Sequence, residues 1–104
     1  MRRLRGFLAP VFALLAFLLV AGASRADDVA DEADLQFRIG ADRYTAGDYR
    51  GALEHFLASN RLVPNRNVVF NVARTYEKLE RYPESFRYYT AALAEETDAA
   101  AQAR

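Results

Sequence analysis

The sequence predicts an all-α fold of two antiparallel helix–turn–helix units. Two observations carry that prediction. Apolar residues recur at helical spacing along the chain, and no stretch alternates as a half-buried strand would. Two segments also echo one another at a separation of 33 residues. Phe37 matches Phe70, Ile39 matches Val72, Gly40 matches Ala73, Tyr49 matches Tyr82, Ala52 matches Ser85, and Phe56 matches Tyr89. Large residues repeat as large and small as small, as stacked structural units require.

The N-terminus reads as an export leader. Arg2, Arg3 and Arg5 form a positive start, an apolar run follows from Phe7 to Ala23, and Ser24-Arg25-Ala26 places small residues for cleavage before Asp27. That run is 17 residues long and contains Pro10, whereas a spanning helix needs roughly 20 apolar residues. Residues 1–26 are therefore expected to be a signal peptide, and contact with the membrane to be transient. Export, most simply to a periplasm, is the expected destination. The alternatives are full secretion, or anchoring in the inner membrane by an uncleaved leader. The chain has no cysteine, which excludes disulfides, cysteine metal sites and lipid attachment at an N-terminal cysteine.

Loss of the leader changes the charge. Four of the 14 basic residues (Arg2, Arg3, Arg5, Arg25) would leave and none of the 14 acidic ones, giving a net charge of −4. Nucleic acid is not an expected partner for such a surface. Residues 27–32 form an acidic segment, solvated and partly frayed, that suits a helix N-terminus.

The first helix is predicted from Asp31, with Leu35, Ile39 and Tyr44 in its apolar pattern and Phe37 and Ala41 beside them. It should end near Gly47-Asp48, a turn-forming pair. Ala52, Leu53, Phe56, Leu57 and Asn60 outline a second helix that ends near Val63-Pro64-Asn65, since proline disfavours helix in the residue before it. A third runs from about Asn67 to Leu79, burying Val69, Val72, Ala73 and Tyr76. After a turn at Arg81-Tyr82, Pro83 fits the first turn of a fourth helix that carries Phe86, Tyr89, Ala92 and Leu93. The alanine-rich tail from Glu95 to Arg104 either prolongs that helix or begins a fifth.

Within each unit the small residues Gly40 and Ala52, then Ala73 and Ser85, are placed where the two helices approach most closely. Tyr49 and Tyr82 should wedge over the turns, and Phe56 and Tyr89 should meet the neighbouring pair.

These residues resemble the tetratricopeptide repeat, whose unit reads W-x2-L-G-x2-Y…A-x3-F…P. The first unit, 33–66, supplies Ile39-Gly40, Ala52-x3-Phe56 and Pro64. The second, 67–97, supplies Val72-Ala73-x2-Tyr76 and Ser85-x3-Tyr89. Gln36 and Val69 stand where the family favours tryptophan, Arg43 where it favours an aromatic residue, and Thr97 near its proline. The resemblance implies a short right-handed solenoid, with residues 98–104 as a cap or a truncated continuation. It also implies a non-catalytic module that holds a peptide or partner domain on the concave face.

By the repeat alignment that face carries Phe37, Arg38, Ala41 and Tyr44, then Asn67, Phe70, Asn71, Arg74 and Lys78. Amide and cationic donors beside aromatic rings suit an extended backbone with acidic side chains. Lysine stands where this chain has Phe37 in the family members that clamp a C-terminal carboxylate, so that clamp is not expected. Taken singly, Arg38, Arg74 and Lys78 read more readily as solvated residues, and Phe37 and Phe70 as packing.

A second reading is a structural or oligomerising element, or the front of a longer periplasmic repeat protein, using faces left open at Tyr88, Leu93 and the alanine-rich tail. Two units are one fewer than a solenoid ordinarily needs. A catalytic role has little to rest on. His55 is the only histidine, Ser59 and Ser85 lack histidine–carboxylate partners, and Glu77 and Glu80 are interleaved with Lys78 and Arg81. No phosphate loop or metal-ligand spacing appears, so no cofactor is expected.

Overall fold

The computed structural model describes the backbone of residues 2–103 and the side-chain surroundings of residues 24–98 and 100–103. Most of the expected leader, residues 1–23, therefore lies outside the described side chains. Among the described residues the chain is helical throughout: α1 (Arg2–Thr45), α2 (Tyr49–Leu62), α3 (Arg66–Lys78) and α4 (Tyr82–Ala103). Among them no helix is long and apolar enough to cross a membrane. α1 packs on α2, α3 on α4, and α2 on α3, so two hairpins lie side by side. The acidic segment lies on α1, helical and exposed.

The 33-residue echo is a repeat of backbone geometry as well as of side chains. At the end of α1, Ala46 N–H donates to Asp42 O, Gly47 N–H to Tyr44 O and Asp48 N–H to Arg43 O. At the end of α3, Leu79 N–H donates to Thr75 O, Glu80 N–H to Glu77 O and Arg81 N–H to Tyr76 O, each bond displaced by 33 residues. Both ends are Schellman closures, which need a residue in the left-handed region. Gly47 (φ 82°) and Glu80 (φ 60°) supply it. Asp48 caps α2 by accepting from Gly51 N–H at 3.0 Å, and Asn65 caps α3 by accepting from Asn67 N–H at 2.8 Å. At the start of α4 the position that matches Asp48 is Arg81. There Arg81 pairs with Glu84 at 3.1 Å, and that partner holds the Glu84 carboxyl below its ordinary pKa.

The core joins the hairpins. Ala52, Phe56, Val68 and Val72 are buried together, with Phe37, Leu53, Leu57, Tyr76 and Tyr88 packed against them. Gly40, Ala52, Ala73 and Ser85 are all buried. The reason for glycine at 40 is direct: an added Cβ would stand 2.7 Å from Cδ1 of Phe56. Two aromatic pairs repeat as well, Phe37–Phe56 at 5.6 Å between centroids and Phe70–Tyr89 at 5.5 Å. Serine hydroxyls staple each hairpin, Ser59 Oγ donating to Ala33 O at 2.7 Å and Ser85 Oγ to Ala73 O at 2.9 Å.

Several expectations change. Phe86 (72% exposed) faces solvent although it shares α4 with buried Ala92, and Leu93 (62%) is exposed as the second reading expected. Tyr82 (60%) stands clear of its turn, whereas Tyr49 packs edge-on against Tyr44 at 5.2 Å. Leu35 is also exposed. Each lies on an outer face that no other helix of the described chain covers. Tyr88 is not an open face: it stacks on Tyr76 at 5.5 Å. The tail prolongs α4 to Ala103, because Thr97 stands where Pro64 ends the earlier helix and alanine sustains the helix beyond it.

Candidate partner-binding site

Three open grooves lie along the inner helices, and they divide the expected face among them. Tyr44, Phe70, Arg74 and Lys78 line one groove of about 550 Å³ that runs across both hairpins, with Glu77 and Tyr89 on its far wall. Asn67 and Phe70 line a second, of about 430 Å³, with Tyr89, Ala92 and Leu93. Phe37 and Asn67 line a third, of about 280 Å³, where Ala33, Ser59 and Val68 complete the wall. Arg38 stands apart, paired with Asp34 at 3.2 Å on exposed surface.

Arg74 organises the first groove. Its guanidinium carbon lies 4.9 Å from the ring centroid of Tyr44 on α1 and 5.9 Å from that of Phe70 on α3. Its Nη1 donates to Asn71 Oδ1 at 3.4 Å and its Nη2 to the Tyr44 hydroxyl at 3.5 Å. Asn71 is itself fixed, donating through Nδ2 to Asn67 O at 2.7 Å. A cation seated between two rings gains from their quadrupoles and keeps little rotamer freedom. The guanidinium fork still has N–H groups directed by neither bond, so it can receive a carboxylate or a backbone carbonyl without reorganising.

Tyr89 was absent from the expected face. As the counterpart of Phe56 it reads as a core aromatic, and its hydroxyl is the signal that it differs. That hydroxyl donates to Glu77 Oε2 at 2.8 Å. Burial, and then the hydrogen bond to the Glu77 carboxylate, push the phenol up to about 12. Phenol and carboxylate therefore form a fixed acceptor edge opposite Arg74. Groove chemistry is thus mixed: aromatic floor, cationic rim at Arg74 and Lys78, acidic rim at Glu77.

His55 serves packing, its Nδ1 lying 2.7 Å from Gln36 Oε1 and tying α2 to α1. Among the described residues no group of three histidine or carboxylate side chains could hold a metal ion. No family model matches the chain, and neither curated proteins nor solved structures provide a match.

Proposed function

We propose that this chain is an exported, non-catalytic interaction module of the tetratricopeptide type, its two hairpins forming a short right-handed solenoid. The observation that carries the reading is the groove shared by both hairpins, where Tyr44 of α1 and Phe70 of α3 hold Arg74 between them. An extended peptide with an acidic side chain suits it. The backbone would meet Asn71 and the guanidinium, apolar side chains would lie on the rings, and the acid would approach Arg74 and Lys78. The test is capture from a periplasmic extract by immobilised chain, with and without Arg74→Glu. Loss of the captured species, with helicity and melting unchanged, supports the reading. Identical capture by the variant overturns it.

Export is a separate part of the proposal, resting on the Arg-rich start, the apolar run and the small residues before Asp27. Mass spectrometry of protein recovered from a secreting host should find a chain that begins at Asp27. A mature chain that retains Met1 would reject cleavage. The oligomerising reading is favoured by a different observation, the exposed Phe86 and Leu93 on α4.

A further inference from the structure

We propose that this chain associates head to tail with a second copy of itself, α1 of one copy seating in the groove that α3 and α4 of the other leave open. The socket is visible by comparing the two hairpins. In the first, Ala33, Asp34, Phe37, Ser59 and Val63 line a crevice whose remaining wall includes Val68 of α3. Displaced by 33 residues, those five positions become Arg66, Asn67, Phe70, Ala92 and Glu96, which line the groove of the second hairpin. It is the same seat without its occupant. Exposure follows: Phe56 is 1% exposed while its counterpart Tyr89 is only half-buried, and Leu53 packs on the core while its counterpart Phe86 is 72% exposed.

The plug is on the other end of the molecule. In the first seat α3 presents Val68 and Val72, and the positions 33 residues earlier on α1 are Leu35 and Ile39. Leu35 is 44% exposed, an apolar knob with nothing over it. The packing of α2 on α3 therefore supplies the template for an interface between copies, with like residue types in like places. The rims are polar on both sides. The wall of the first crevice includes Asn65, the cap of α3, and Asn67 within it, and their counterparts on α1 are Glu32 and Asp34. Those carboxylates would arrive at a rim where Arg66 already pairs with Glu96 at 3.3 Å, so the contact rests on the matching apolar positions rather than on charge. Because plug and socket occupy different faces, the contact is heterologous and each added copy presents a fresh socket.

The contact joins α1 to the groove between α3 and α4, which shares Phe70 and Tyr89 with the groove at Arg74, so the test carries an Arg74 variant to tell the two apart. The cysteine-free chain gives a clean test. The connection between α2 and α3 occupies residues 63–65, so Asn60 and Val68 lie at matching distances from it on antiparallel helices. Displaced by 33, that pair becomes Leu93 of one copy and Leu35 of the next. Full-length Leu35→Cys and Leu93→Cys proteins are mixed in equal amounts, oxidised mildly and sized by denaturing electrophoresis. Thr90→Cys and Thr97→Cys, about one turn either way, allow for a slipped register. All four sites are exposed, and circular dichroism checks that each variant keeps its fold.

The expected result is a disulfide-linked dimer of the two different variants, little dimer from either alone, and a ladder from the Leu35→Cys/Leu93→Cys double variant. Arg74→Glu added to each should leave the crosslink unchanged, which separates this contact from peptide binding. Absence of a mixed dimer at all three α4 sites overturns the proposal. So does a Leu93→Cys homodimer as abundant as the mixed one, since that means α4 pairs with α4.

Discussion

An added Cβ at Gly40 has nowhere to go, because the Phe56 ring that it would strike is itself buried between the hairpins. Overpacking of this kind costs roughly 1–3 kcal/mol. Gly40→Leu should therefore lower the melting temperature by at least about 4 °C in a domain of this size, read by circular dichroism. An unchanged melting point would remove Gly40 from the helix contact. Glu80 presents the opposite case. It holds the left-handed position that Gly47 holds in the first turn, and a Cβ there is strained. Glu80→Gly should stabilise the fold by about 0.5–1 kcal/mol, once the added freedom of glycine in the unfolded chain is set against the relieved strain. Gly47→Glu should destabilise it. Tyr89 offers a spectroscopic check. Its phenol is raised to about 12, so the folded state favours the protonated form. The stability linked to it is present below the ordinary tyrosine value near 10 and is lost as pH climbs through 12. In an absorbance titration of tyrosinate, Tyr89→Phe should remove a late-titrating component and leave the earlier ones in place.

At the scale of elements, α2 and α4 begin at matching residues, Tyr49 and Tyr82, and end differently. α2 stops after Leu62, where Val63 turns extended before Pro64, while α4 passes the matching place and continues to Ala103. Thr97 is the cause, since threonine keeps its backbone N–H and closes a side-chain bond to Leu93 O at 3.0 Å. Thr97→Pro should shorten α4, seen as reduced helical ellipticity. It should cost far less stability than Thr90→Pro, because the described side chains beyond Glu96 are all exposed. Should the two prolines destabilise equally, the tail would have to pack in a way that its exposure contradicts. The serine staples explain why the hairpins tolerate small residues at their crossings. Ser59 and Ser85 are buried, yet each hydroxyl has a carbonyl on the facing helix. Ser85→Ala should cost about 1 kcal/mol, the ordinary net worth of one such bond.

For the molecule as a whole, the grooves follow from the stacking of two like units within the described chain. The inner one, across Tyr44, Phe70 and Arg74, exists because α3 lies beside α1 with long side chains between them. The outer one, at Phe70, Tyr89 and Leu93, exists because no further helix covers α4 within the described chain. Partner capture at the inner groove should weaken as salt rises, since Arg74 and Lys78 carry its cationic rim; salt-independent capture would point to the aromatic floor instead.

The sequence by itself determined the helices, their turns and the pairing into hairpins, because propensity, capping and small-for-small repetition are local properties that survive in letters. The stop after Leu62 was legible from Pro64, and the close crossing from Gly40. Much of the site was not. The repeat alignment put Arg74 on the expected face, but only the packing of α3 beside α1 sets it against Tyr44, 30 residues away in the chain. Tyr89 read as the twin of Phe56. Phe86 and Leu93 keep the helical period of the fourth helix, and the period records which face is apolar without recording what covers it, although Leu93 also reads as a face left open. Burial depends on the neighbour that arrives, so the tertiary structure alone decided that the first hairpin's outer face is filled and the second's is open.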